Sequence, residues 1–234
     1  MVKSNMYSDV KTWNPAVGCG FDCVYCKPSF QRILSRFSKC ELCKAFKPHV
    51  HTERLQYAKI PKGYPVIFAF GNGDLTFYPK YIVKAAVIML QRVLEIYPDK
   101  TIYFQSKNPK VFNKLIPLFK PIKDNVVLLT TLETNRNRDY RLFSKAPLPL
   151  QRYLDFAKLN WEQKIVTIEP IMDFDLERMV RWIKEISPMK VYMGYNSKPQ
   201  PKLPEPSTEK FNALFSELSK ITLVEVKRGV SCHV

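Results

Sequence analysis

Cys19, Cys23 and Cys26 stand in a C-x3-C-x2-C arrangement, the tightest cluster of reactive side chains in this chain. Three thiolates on one short loop can ligate three irons of a cubane iron–sulfur cluster. The fourth iron then has no protein ligand and can take a chelating small molecule. Four cysteines would close the cluster and suit plain electron transfer. The competing reading is a structural zinc knuckle that uses two of these thiols with other ligands.

A second group follows. Cys40, Cys43, His49 and His51 read C-x2-C-x5-H-x-H and offer four zinc-type ligands. They fall in residues 27–64, a stretch too long for one helix and without an obvious core, which a structural metal would stabilise. Cys232 beside His233 is an alternative ligand for one histidine, and a pair of unligated thiols is the other alternative. Five of the six cysteines lie between Cys19 and Cys43. Such close spacing in an intracellular chain favours metal ligation over a disulfide framework.

These groups need a scaffold. Short apolar runs expected as strands are Asp9–Trp13, Pro65–Phe70, Thr101–Gln105, Asn125–Thr131, Lys164–Glu169 and Lys190–Gly194, with Thr222–Val226 a possible seventh. Val66-Ile67-Phe68-Ala69-Phe70 is continuous rather than alternating, which suits a parallel strand covered on both faces. Between the strands, helical spacing of apolar residues predicts helices over Pro79–Tyr97, Asn108–Phe119, Leu148–Leu159, Asp175–Ile186 and Thr208–Lys220. Repeated β-α units imply a parallel sheet with right-handed crossovers. The expectation is an α/β fold: a single domain, 1–234, forming a partial (β/α)6 barrel of parallel strands with a metal-binding insertion at 27–64. A doubly wound open sheet is the alternative. Proline-rich Lys198–Ser207 reads as an extended connection.

The C-x3-C-x2-C spacing directly after the first strand resembles the signature of the radical S-adenosylmethionine (SAM) superfamily. Trp13-Asn14-Pro15-Ala16-Val17-Gly18-Cys19 is similar to the opening of a poorly characterised, phage-associated branch of radical-SAM-like proteins, and more distantly to spore photoproduct lyase. The likeness extends through the later strand ends, but only the cysteine motif is specific. The resemblance implies a [4Fe–4S] cluster on Cys19, Cys23 and Cys26, SAM bound at the open iron, and an electron donor that reduces the cluster. It further implies cleavage of SAM to a 5′-deoxyadenosyl radical. Tyr25 occupies the position where the family carries an aromatic residue near the adenine. Gly71-Asn72-Gly73-Asp74 stands where the family often has a Gly-Gly-Glu turn for the SAM amino group, with Asp74 in place of the glutamate. Backbone carbonyls are then an alternative partner for that amino group.

In β/α barrels reactive groups collect at the C-terminal ends of strands. Polar residues there include Gln105-Ser106-Lys107, Thr131, Glu133, Glu169, Tyr195 and Asn196, which become candidates for ribose, carboxylate and substrate contacts. Helix capping and surface salt bridges are the plain alternatives. Five of the seven glycines lie at these proposed loops, where backbone turns sharply or approaches a ligand closely.

Thirty-seven Lys and Arg against 21 Asp and Glu give a net charge of +16, which favours polyanionic partners, nucleic acid above all. Arg136, Arg138, Arg141, Lys145 and Arg152, with Tyr140 and Phe143 among them, suggest phosphate contacts and base stacking beside the barrel mouth. A solvated helix face is the alternative. Apolar runs such as Ala85–Leu90 are far short of the ~20 residues of a membrane span. The N-terminus lacks a signal-peptide core, so the expected setting is cytoplasmic. The functional expectation is radical SAM chemistry that modifies or repairs nucleic acid. A peptide or metabolite substrate is one alternative, and a non-catalytic metal-stabilised nucleic-acid-binding protein is another.

Overall fold

In the computed structural model, which describes residues 9–198 and 200–227, the apolar runs pair in chain order. Seven strands form one parallel sheet: β1 (Val10–Trp13), β4 (Val66–Ala69), β5 (Thr101–Gln105), β6 (Val126–Thr131), β7 (Lys164–Ile168), β8 (Lys190–Met193) and β9 (Leu223–Val226). Each sits beside its predecessor, and the sheet curls into a half-barrel. A doubly wound sheet needs a point where strand order reverses, and this order has none. The seventh strand is present, so the half-barrel has one strand more than the six-unit reading.

Alternate side chains of the strands enter two different layers, as the two-residue strand period requires. Ile102, Phe104, Val126, Leu128, Val166, Ile168 and Val191 face the helices. Tyr103, Val127, Leu129, Ile165 and Tyr192 fill the concave side. Every residue of β6 and β7 is buried, as parallel strands in the middle of a covered sheet should be.

The five crossover helices lie close to their expected ranges: α3 (Lys80–Ile96), α4 (Phe112–Phe119), α5 (Pro149–Ala157), α6 (Leu176–Ile186) and α7 (Thr208–Ser219). Ser207 caps α7 by accepting from the Lys210 N–H. In α6, Met179, Trp182, Ile183 and Ile186 form the buried stripe. No helix among the described residues is long and apolar enough to cross a membrane.

The insertion holds only small pieces: α1 (Arg32–Phe37), α2 (Glu41–Lys44), β3 (His49–Val50) and two single turns at 52–54 and 57–59. β3 pairs antiparallel with β2 (Ala16–Val17), just before the cysteine loop. Two-residue strands carry no periodic signal, so this second sheet was not legible in the sequence. Its far end is docked on the barrel, where Trp13 Nε1–H donates to the Arg54 carbonyl at 3.1 Å. Cys232 and His233 lie outside the described residues.

Candidate metal centres

The cysteine loop is gripped from two sides. On one side Gly18 forms a bridge with Gly73, and its N–H donates to the Asn72 carbonyl at 3.0 Å. Gly18 has φ of +100°, and a Cβ there would sit 2.2 Å from the Lys47 carbonyl oxygen. At Gly73 a Cβ would lie 1.7 Å from the Tyr78 hydroxyl and 2.4 Å from the Gly18 carbonyl oxygen. These glycines therefore admit neighbouring protein at close range. A Gly73→Val chain is accordingly expected to displace Gly18 and Cys19, lowering whatever iron the triad takes up as well as any ligand binding beside it. Iron content after anaerobic reconstitution checks this; iron loading equal to the parent's would show that the bridge does not position Cys19.

On the other side residues 143–146 fold back over the loop. The Val24 N–H donates to the Phe143 carbonyl at 3.0 Å, and the Lys145 N–H to the Phe21 carbonyl at 2.7 Å. Ser144 Oγ lies 3.1 Å from the Cys23 sulfur. Ser144 was missed from the sequence because no spacing links it to a cysteine 121 residues away. None of the three loop cysteines is in a disulfide. Burial pushes the Cys19 thiol well up. A hydrogen bond from Cys26 draws Cys23 down to about 6, and the same bond, with burial, raises Cys26.

The three cysteines open onto a cavity of about 470 Å³ at the C-terminal ends of the strands. That size lies within the about 300–1,000 Å³ common for small-molecule sites. Of the strand-end candidates, Tyr25, Gly71, Gly73, Asp74, Thr131, Glu169, Tyr195 and Asn196 line it. Phe46 from the insertion, Phe68 and Lys227 also line it and were not anticipated. Lys227 Nζ reaches Glu169 and, at 2.8 Å, Ser197 Oγ, so Glu169 is already paired.

Gln105 and Lys107 line the cavity too, whereas Asn72, Ser106 and Glu133 do not. Asn72 braces the turn: its N–H donates to Asn14 Oδ1 at 2.8 Å while its carbonyl receives Gly18. Glu133 is completely buried beneath it. Its carboxylate meets Arg152 at 2.7 Å, receives Lys107 and the Tyr25 hydroxyl, and has the Tyr140 hydroxyl at 3.2 Å. Burial alone would push this carboxyl up, but Arg152 and Lys107 outweigh it and hold it at about 2. Lys107 also lies over the Tyr25 ring, 4.7 Å from its centroid. One buried carboxylate thus faces two cations, the buried Arg152 and the part-buried Lys107 at the cavity wall, and the surplus positive charge sits beside Cys23. Asp74 is similarly occupied: it accepts from the Thr76 N–H at 2.9 Å, the Ser106 hydroxyl at 2.7 Å and the Lys107 N–H at 2.8 Å. Burial raises its carboxyl, against the pull of those donors.

The arginine segment departs from expectation. Arg152 is buried in the Glu133 network, not displayed at the surface. Arg136 is committed to Asp173 and, at 2.7 Å, Asp175. Arg141 donates to the Lys145 and Ala146 carbonyls at 3.1 and 2.7 Å. Arg138, Arg141 and Lys145 are exposed, and Arg138 has Asp139 at 3.5 Å. Local sequence shows that arginines cluster, but not that acidic partners arrive from a loop about 40 residues away.

The second group does assemble. Ligand atoms of Cys40, Cys43, His49 and His51 all lie within 4.8 Å of one another, and this group can hold a metal ion. The Cys40 sulfur lies 3.5 Å from His49 Nε2, the Cys43 sulfur lies 3.3 and 3.1 Å from the His49 and His51 Nε2 atoms, and the two Nε2 atoms are 2.9 Å apart. A tetrahedral zinc with Zn–S of about 2.3 Å and Zn–N of about 2.0–2.1 Å places neighbouring ligand atoms about 3.3–3.8 Å apart. The group is therefore already near the size of a coordination shell. No protein-family model and no curated protein matches this chain.

Proposed function

We propose that this chain is a radical SAM enzyme. One observation carries the reading: three cysteines on one loop, in the C-x3-C-x2-C spacing, open onto the cavity at the C-terminal ends of a parallel half-barrel. Cys19, Cys23 and Cys26 would hold the cluster. The donor set fits, because burial disfavours thiolates at Cys19 and Cys26 unless a cationic centre offsets it, and Lys107 contributes positive charge from below. With cluster and SAM bound, reductive cleavage of SAM to a 5′-deoxyadenosyl radical is the chemistry supplied.

The chain's own residues bind and exclude water. Phe21, Phe46 and Phe68 give the cavity apolar walls. Gln105 Nε2 donates to Thr131 Oγ1 at 2.9 Å, presenting a polar pair at the strand ends. Asp74 is spent on internal donors, so the backbone of the 71–73 turn is the better partner for an amino group. Glu169 and Lys227, on the opposite wall, suit the substrate side. For the Cys40–His51 group two sulfurs and two imidazoles support zinc. Five free thiols suit a reducing compartment such as the cytoplasm, where an electron-donor protein would serve the cluster.

For substrate we favour nucleic acid, on the +16 charge. The test is anaerobic reconstitution with a chemical reductant. SAM should perturb the cluster's paramagnetic resonance spectrum and be cleaved to 5′-deoxyadenosine. A cluster indifferent to SAM would end the reading. Single-stranded RNA or DNA should stimulate cleavage and lose that effect as salt rises. Arg138→Glu should reduce the stimulated rate more than the basal one. No stimulation by either polymer would move the substrate to a peptide or metabolite.

A further inference from the structure

The two imidazoles of the insertion face each other in a way that demands a cation. His49 Nδ1 lies 2.7 Å from the Lys47 carbonyl, which can only accept, so Nδ1 carries the hydrogen. His51 Nδ1 is 2.8 Å from the Glu53 carboxylate, again an acceptor. Both Nε2 lone pairs are thereby turned inward, 2.9 Å apart and beside two sulfurs. Lone pair against lone pair is repulsive unless positive charge lies between them. An oxygen acceptor behind each ligating imidazole is also how metal-binding histidines are fixed.

This group is wired to the other one. His49 and Val50 pair with Val17 and Ala16, and the His51 N–H donates to the Pro15 carbonyl at 2.8 Å. Three residues after Cys43, the Phe46 carbonyl accepts from the Cys19 N–H at 3.2 Å. Phe46 takes a positive φ of 52° in the turn that ends α2, which is closed by the Phe46 N–H to the Cys43 carbonyl and the Lys47 N–H to the Leu42 carbonyl, both 3.0 Å. α2 has four residues and β3 two, and the apolar cluster beneath them has only Val17, Cys43 and Phe46 fully buried. Elements this short do not persist on their own.

We infer that a zinc ion on Cys40, Cys43, His49 and His51 acts as a clip that orders the 43–51 turn, and that this turn in turn fixes the backbone of Cys19 at the edge of the cavity. The inference rests on the proposed function only for what Cys19 then holds. Its geometry concerns the empty-handed chain.

The experiment uses the full chain, purified without iron, with zinc chloride as the probe. A Cys19/Cys23/Cys26→Ala chain should retain about one zinc. In the parent, removing zinc with a chelator should speed alkylation of Cys19 by iodoacetamide at least tenfold, read site by site by mass spectrometry. Cys23, held by Ser144 and not by the insertion, should change much less and serves as the internal control. Glu53→Gln leaves every ligand in place and should weaken zinc binding about 10–100-fold. This variant remains informative if His51→Ala does not fold. Failure of the triad-free chain to bind zinc, or equal Cys19 alkylation with and without zinc, would overturn the inference. On reconstitution, the zinc-depleted chain should take up several-fold less iron. A zinc-loaded parent that takes up no iron refutes the cluster assignment instead, and the alkylation ratio still decides the clip.

Discussion

Replacing Cys19, Cys23 and Cys26 together with Ala is expected to take the anaerobically reconstituted protein from about four irons per chain to essentially none, with loss of its brown colour. The carboxylates that line the cavity among the described residues are already engaged: Asp22 by Lys27 and Lys145, Asp74 by three internal donors and Glu169 by Lys227. The barrel itself should survive, because the three cysteines are outside the main core cluster and belong to a small separate one. A destabilisation on the order of 1 kcal/mol is the ordinary size for such truncations. Iron analysis and a circular dichroism melt together make the test. A triple variant that stays folded and still carries a full cluster would refute the assignment of ligands.

The second large effect concerns stability. Glu133→Gln leaves the buried Arg152 and the part-buried Lys107 without their shared counter-charge, and breaking a buried pair such as Arg152–Glu133 costs about 3–5 kcal/mol. The penalty is sharpened at Arg152, whose Nε and Nη2 already lack hydrogen-bond partners and have only the Tyr140 ring nearby, 4.8 Å from the guanidinium. Urea unfolding of parent and variant should show the loss at neutral pH. The sign with pH follows from the carboxyl's position. Glu133 is held at about 2 in the folded chain against an ordinary 4.5, so its stabilisation is complete above about 4.5. It drains away as pH falls toward 2, and the difference between parent and variant should shrink over that window. A difference that is absent at pH 7, or constant down to pH 2, would show that the charged triplet is not what stabilises this end of the barrel.

The barrel was legible because its signals are local. Thr101–Gln105 is a strand over its full predicted range, and the ends of α3, α6 and α7 shift by only one residue. The second cysteine group was legible because ligand spacing is a short-range pattern, and the structure brings its four residues together. What failed was the fate of individual polar groups. Arg152 reads like its neighbours in sequence, yet α5 turns it inward to Glu133 while Arg138 stays out. Glu133 sits two residues beyond β6 and was expected in the cavity; the cations beneath it draw it under the floor instead. The 143–146 return over Phe21 and Val24 joins segments some 120 residues apart through backbone hydrogen bonds that any side chain could make. No residue type marks such a contact in advance.

The sheet runs from β1 to β9 without the two end strands pairing to each other. In a closed ring, strand number and stagger fix the diameter. Here nothing of that kind sets the distance between the first wall of the cavity, at Cys19 and Cys26, and the last, at Lys227. It is set by how tightly the sheet curls, with the bond from Lys227 to Glu169 fastening the final strand to the end of β7. The aperture is therefore a compliant dimension, one that can widen by small changes of twist shared among seven strands. A long or bulky molecule can be laid across it from the side, without having to be threaded through a rim.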